Sequence, residues 1–257
     1  MFPERIDVLF SEKKLCTHRR IRKFLVDHVV SIERNGTSSR IYGGDVEVDV
    51  DVDEVFIDGV KVEFVPDIYI LMNKASGCLC TSAESGKASG EKTVFDYLDP
   101  SLLAERDGRK IHTAGRLDRD TEGFLILTTD GKFSRRIASP ETHVSKTYEA
   151  FLDRKIPLEE QERWRRFAAE GFFICHDGRK KGFFSKPGTL EFCGEDKIYL
   201  TLSEGKFHQV KRMVSVLGAT VARLKRISMG NLVLDENLSP GEYRFLSQEE
   251  LYSILGN

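Results

Sequence analysis

Three short segments carry residues of the right types and spacing for chemistry. The first, residues 114–123, reads Ala-Gly-Arg-Leu-Asp-Arg-Asp-Thr-Glu-Gly. Two glycines bracket a polar stretch that runs into an apolar one, so Asp118 is offered from a loop anchored on a strand, where reactive groups often lie. Arg116 and Arg119 flank it closely enough to keep a carboxylate ionised and to meet phosphates. Such a group serves either as a nucleophile or as the cap of a turn. The second segment, residues 203–213, reads Ser-Glu-Gly-Lys-Phe-His-Gln-Val-Lys-Arg-Met. At helical spacing Phe207, Val210, Val214 and Leu217 make an apolar stripe, which leaves His208, Lys211, Arg212 and Ser215 on a polar side. Beside Asp118, Lys211 and Arg212 would supply its counter-charge; His208 takes a structural or an RNA-facing role. In the third, Lys146-Thr147-Tyr148-Glu149, alternation turns Tyr148 away from Thr147 and Glu149. A tyrosine there is either core or a ring on which a base stacks, with a hydroxyl able to handle a proton.

These segments need a scaffold, and the composition bounds it. With 257 residues, 40% hydrophobic and 31% charged, the chain can bury a core without disulfides or metals. No apolar run approaches the roughly 20 residues of a membrane span, and residues 1–10 carry no secretory signal. The five cysteines include no Cys-x-x-Cys pair, which argues for reduced thiols in a cytoplasmic protein and against a zinc site. Strands are expected over 68–72, 123–129, 146–152, 190–193, 198–203 and 220–227, and helices over 158–170 and 207–217. Strands and helices do not alternate regularly, which disfavours a doubly wound nucleotide-binding fold and predicts an α+β domain. The small-residue stretch 81–90 reads as a mobile loop. Pro66-Asp67 marks a boundary between a small unit, 1–65, and a catalytic domain, 66–257.

The net charge of −2 hides an uneven distribution. Between Lys13 and Arg40 eight basic residues face two acidic ones, and Arg19, Arg20, Arg22 and Lys23 crowd the start of a short helix in which Ile21, Phe24, Leu25 and Val29 recur at helical spacing after a candidate Thr17 cap. From Asp45 to Asp53 acids and valines alternate strictly, which predicts a half-buried strand with a carboxylate face; Asp58-Gly59 then closes a hairpin. A basic helix beside a hairpin suits phosphates, and this segment, with Arg5-Ile6-Asp7 ahead of it, resembles the alpha-L RNA-binding motif.

Taken together, Gly115-Arg116-Leu117-Asp118 with Thr121-Glu122-Gly123, then Lys146-Thr147-Tyr148, then Glu204 to Met213, then residues 238–244, Leu-Ser-Pro-Gly-Glu-Tyr-Arg, resemble the pseudouridine synthases, specifically the RsuA-type branch that modifies ribosomal RNA. The chain departs from that family at Asn73-Lys74-Ala75-Ser76-Gly77, where a proline is usual at Ala75, and at Phe124, where leucine is usual. The resemblance implies an α+β fold with a mixed, mostly antiparallel sheet behind an N-terminal alpha-L domain. It further implies isomerisation of a uridine in ribosomal RNA, with the stretches 112–114 and 78–81 closer to the small-subunit enzyme, and neither a cofactor nor a metal. The implied partner is ribosomal RNA or a subunit assembly intermediate, bound by a monomer. Asp118 is then the nucleophile, Tyr148 the stacking residue and proton acceptor, and Lys211 the basic partner of Asp118. Arg116, Lys206, His208, Gln209 and Arg212 contact RNA, as do Arg19, Arg20, Arg22 and Lys23. Three rival classes differ at these residues. A phosphatase of the haloacid dehalogenase type needs Asp-x-Asp-x-Thr, and here Thr121 comes one position early. A hydrolase of N-glycosidic bonds would use Asp120 as the paired acid, and a non-catalytic RNA-binding protein would use neither.

Overall fold

The computed structural model describes residues 3–105, 108–139, 141–175 and 181–256. The chain divides into two compact units, Met1–Ile68 with Ala104–Ile111, and Tyr69–Leu103 with His112–Asn257.

In the first unit the antiparallel strands run in the order Thr37–Arg40, Val30–Arg34, Glu54–Ile57, Val60–Val62. Helices Ile6–Glu12 and Ile21–Asp27 contribute Ile6, Phe10, Ile21 and Leu25 to a core shared with Val30, Ile32 and Val55. The Asp58-Gly59 turn forms as expected: both residues have positive φ, 51° and 80°, and Ile57 pairs with Val60 across them. The basic helix is shorter than its apolar spacing suggested. His18–Arg20 is a 3-10 turn, Thr17 provides no side-chain cap, and Val29 lies beyond the helix and is exposed.

The acidic alternation does not become a long strand. Only Glu47–Val48 is extended, paired with Glu4–Arg5. Residues 49–53 turn back because their carboxylates bond the local backbone: the Asp49 amide donates to Asp53 Oδ2 at 2.8 Å and the Asp51 amide to Asp49 Oδ1 at 3.1 Å. Arg34 then grips the buried Asp53 carboxylate through Nε at 2.6 Å and Nη2 at 2.5 Å. Aspartates that bond their own chain compete with the sheet ladder, and in this stretch they win.

The second unit is built on a nine-stranded sheet, α+β as predicted. Its main path runs Thr189–Phe192, Lys197–Leu202, Lys146–Leu152, Val221–Met229, Glu122–Thr128, Tyr69–Lys74, Tyr243–Phe245, with His112–Ala114 and Leu232–Val233 attached at the side. Within this sheet, among the described residues, only the contact between Val221–Met229 and Glu122–Thr128 is parallel. Strands Tyr69–Lys74 and Glu122–Thr128 are buried almost throughout, as their continuous apolar runs require. Helix Leu158–Glu170 has its expected bounds and packs Trp164 inward. Residues 81–90 contain a helix, Ala83–Ser89, capped by Ser82 and ended by Gly90 at φ 70°, where an unstructured loop was expected. Here a serine cap and a glycine stop define the element, and small-residue composition masked them.

Candidate active site

Asp118 sits between strands His112–Ala114 and Glu122–Thr128, on a loop whose backbone is held from within. The Lys74 side chain is fully buried at the end of its strand, and Nζ donates to the carbonyls of Thr121 (2.8 Å), Arg119 (3.1 Å) and Ala75 (3.1 Å). The Gly77 amide donates to the Arg119 carbonyl at 2.8 Å, which laces residues 75–77 to the same loop. Gly123 ends the loop at φ 97°, and a Cβ there would lie 2.2 Å from the Arg226 carbonyl oxygen. The conformation and the close approach of strand Val221–Met229 both demand glycine. Lys74 and Gly123 hold the backbone, and Arg119 Nε adds a bond to the Gly77 carbonyl at 3.4 Å, so the Asp118 carboxylate is left for other partners.

Those partners come from the start of helix Gln209–Leu217. His208 Nε2 lies 3.5 Å from Asp118 Oδ1, and Lys211 Nζ lies 3.7 Å from Asp118 Oδ2. Lys211 is closer still to Asp120, at 2.5 Å from Oδ1. Burial would raise the Asp120 carboxyl, but the Lys211 hydrogen bond and charge override it and hold Asp120 below its usual range. His208 reaches its place by adopting the left-handed conformation, φ 49°, at the helix N-cap, with its ring stacked on Phe207 at 3.8 Å between centroids. A non-glycine residue in that region is strained, and such strain persists where surrounding structure enforces it.

Asp118 opens on a cleft of about 920 Å³ whose lining also includes Arg116, Tyr148, Lys206 and His208. Tyr148 is buried on strand Lys146–Leu152, and among the described residues its hydroxyl has no hydrogen-bond partner. Arg116 is exposed at the rim. Lys206 spans Glu204, at 3.1 Å, and the Phe184 carbonyl, at 3.1 Å, with its ammonium 4.2 Å from the centre of the Phe183 ring.

Two of the residues expected to touch RNA are instead committed inside the protein. Gln209 is buried: it accepts from the Lys206 amide at 2.9 Å and donates to Glu204 Oε1 at 2.6 Å. Arg212 is buried as well, with Nη2 donating to the Cys175 carbonyl at 2.6 Å and the guanidinium over the Phe183 ring. The helix begins at Gln209 and not at Phe207, so its inward face includes Arg212 while Phe207 stays exposed. Glu204, itself buried, is opposed by desolvation yet kept ionised by the Lys186 amide and by Lys206 and Gln209. In the other unit Arg19, Arg20, Arg22 and Lys23 are all exposed and form no ion pair among the described residues.

The sequence reading gave no role to Lys74 or Lys146, although both stood in segments it singled out, and passed over Arg226. The signal for Lys74 was a lysine closing a strand otherwise buried to its last residue, where only an ammonium with several acceptors is tolerated. Among the described residues no group of three or more His, Cys, Asp or Glu could hold a metal, and no helix is long and apolar enough to cross a membrane.

This combination of mixed sheet, aspartate loop and cationic helix start matches an RNA-modifying class. The model of the RNA pseudouridylate synthase family matches residues 68–216, and the chain belongs to that family, whose members are isomerases. It is 42% identical over 211 residues to an uncharacterized RNA pseudouridine synthase of Bacillus subtilis, covering 80% of this chain and 81% of the relative. It is 34% identical to the ribosomal small subunit pseudouridine synthase A of Haemophilus influenzae, covering 98% and 99% of the two chains. A solved pseudouridylate synthase crystal structure is 33% identical and superposes with a TM-score of 0.64, covering 97% of this chain and 99% of that one.

Proposed function

We propose that this protein converts a specific uridine of small-subunit ribosomal RNA to pseudouridine, with Asp118 as the nucleophile and the target nucleotide flipped into the cleft. The observation that carries the reading is the Asp118 carboxylate, near both His208 and Lys211 on the lining of a cleft that also includes Tyr148, whose hydroxyl has no hydrogen-bond partner among the described residues. The target atoms are inaccessible in a base stack, so the nucleotide must leave it, and a cleft of this size admits one.

Asp118 either attacks C1′ of the ribose or adds to C6 of the ring. In both routes the C1′–N1 bond breaks, the ring turns, C5 bonds to C1′, the bond from Asp118 to C1′ or C6 breaks to return the free carboxylate, the C5 proton leaves and N1 takes up a proton. Tyr148 is the acceptor for that proton and the surface on which the base stacks. No atom is gained or lost, so the reaction draws on no oxidant and no nucleotide. Names of curated relatives support the small ribosomal subunit as the source of the RNA. The exposed cations of helix Ile21–Asp27 give the first unit the surface of an alpha-L RNA-binding domain over residues 1–65, adding affinity without reading sequence. Hydrolysis is the weaker alternative, because Asp120 would have to deliver a proton, and its bond to Lys211 keeps it ionised.

The test is tritium release from small-subunit RNA labelled at uridine C5, with nucleoside analysis of the product. Wild type releases tritium and forms pseudouridine, and Asp118→Asn binds the RNA but does neither. Free uracil in the product would turn the assignment to a hydrolase. Normal turnover by Asp118→Asn would remove the nucleophile.

A further inference from the structure

The wall of the cleft holds two buried cations, Lys146 and Arg226, that no carboxylate among the described residues neutralises. Lys146 is 7% exposed, and its ammonium donates to the Val144 carbonyl at 2.8 Å. Arg226 is 2% exposed; its Nε donates to the Phe124 carbonyl at 2.8 Å, and its Nη2 is buried with no hydrogen-bond partner among the described residues. Neither forms an ion pair among the described residues. Both line the cleft that holds Asp118. Their placement follows from the sheet. Alternation puts Lys146 and Tyr148 on one face of the same strand, and Arg226 is the cross-strand partner of Tyr148. Burial and the nearby Arg226 charge push the Lys146 ammonium down to about 8. Two desolvated like charges with an orphaned guanidinium nitrogen are costly, and a fold keeps such an arrangement where an anion completes it.

The surroundings indicate which anion. The strand neighbours of this pair are apolar, Leu202 and Met229 across from Lys146 and Leu200 across from Tyr148. A planar ring fits there, whereas a hydrated phosphate suits the exposed Arg116 and Lys206 at the rim. Chemistry supplies the charge. When the C1′–N1 bond breaks, its electron pair stays on the ring and spreads to O2 and O4; when Asp118 adds to C6, the pair moves to O4. Either way the ring oxygens are most negative in the intermediate. They return to neutral carbonyls once C5 has bonded to C1′, the C5 proton has left and N1 has been protonated.

We propose that Lys146 and Arg226 form a buried cationic seat for the carbonyl oxygens of the flipped uracil, holding the charge that develops on the ring during its transfer. The inference rests on the isomerase reading above and adds to it two groups that act on the base oxygens, beside the roles given to Asp118 and Tyr148. Preorganised charge aimed at a transient anion in a dry site accelerates a reaction more than it tightens ground-state binding.

The experiment is single-turnover conversion of small-subunit RNA by the full chain, with Lys146→Met and Arg226→Met, alongside RNA affinity and thermal melting. Each variant is expected to lose at least about 100-fold in rate, with Kd for RNA changed less than about threefold. The defect is expected to shrink at least about tenfold on RNA carrying 5-fluorouridine, followed as consumption of that nucleoside, since the fluorinated ring bears negative charge more easily. A packing role would not produce that rescue. Rates within threefold of wild type, a loss confined to Kd, or a defect equal on both RNAs would overturn the seat; a loss confined to Kd would move the pair to the RNA backbone. Should Arg226→Met fail to melt cooperatively, Arg226→Lys is read by the same split. If wild type forms no pseudouridine, the isomerase reading falls first, an outcome distinct from failure of the seat.

Discussion

Two acidic loops of this chain, residues 45–53 and 114–123, use their carboxylates in opposite ways. In the first, Asp49 and Asp53 bond the backbone of their own turn, and Asp53 is fully taken up by Arg34. In the second, the turn is held by a buried lysine and a positive-φ glycine, and among the described residues the charged partners of the Asp118 carboxylate are His208 and Lys211, at distances longer than a close ion pair. A carboxylate becomes available for chemistry when other groups do the structural work around it. Composition points the other way, since the first loop is the more acidic.

Substitutions can break this contrast. The largest effect is expected at Asp118, where Asp118→Asn should cut turnover by about 10⁴-fold or more while leaving the melting temperature within a degree or two. Turnover assays paired with melts check it, and a large loss of stability would make Asp118 another Asp53. Lys74→Met removes the donor shared by three loop carbonyls, and should destabilise the second unit by about 3 kcal/mol in denaturant titrations.

At Lys146 the sign reverses. Its folded value of about 8 lies below the ordinary 10.5, so burying the charge costs stability fully below pH 8, and the cost is relieved as pH rises toward 10.5. Lys146→Met should therefore be more stable than wild type near pH 7, by up to about 3 kcal/mol, with the advantage vanishing by about pH 10. Urea melts across that range decide it, and lower stability at pH 7 would show a net structural role.

Asp53→Asn should cost about 2 kcal/mol near neutrality and leave turnover unchanged. The Asp53 carboxyl is lowered chiefly by its hydrogen bonds from Arg34, against burial, so its contribution is present above the ordinary 3.8 and is lost as pH falls through the lowered value. The difference between wild type and variant should accordingly close in acid melts. The smallest effect is on the salt dependence of RNA binding. Reversing Arg19, Arg20 and Arg22 to glutamate should weaken affinity and reduce the log–log salt slope by about 2 to 3, with the single-turnover rate at saturating protein unchanged.

Much of the framework was legible in the residues. Strand Lys146–Leu152 and helix Leu158–Glu170 have the bounds that period-2 and period-3.6 patterns give, and the Asp58-Gly59 hairpin follows from the conformations those two residues tolerate. Asp118 stood out because glycines and arginines surround it within a few positions. Where local patterns misled, a specific competitor was present: side-chain bonds to the backbone turned residues 49–53 out of the expected strand, and Ser82 with Gly90 made a helix of an expected loop.

Pattern alone determined many of the strands and helices, strand Lys146–Leu152 and helix Leu158–Glu170 among them, and which loop carries the aspartate, because those properties depend largely on neighbours within about seven residues. Which charges meet was decided only by the fold. Lys211 reaches Asp120 across 91 positions and Arg226 reaches Phe124 across 102, while Arg212, one residue from Lys211, turns inward to carbonyls. Ionic and hydrogen bonds act over a few ångströms of space and are indifferent to sequence separation, so the sheet order that brings strands Lys146–Leu152, Val221–Met229 and Glu122–Thr128 side by side is what turns scattered cations into the wall of one cleft.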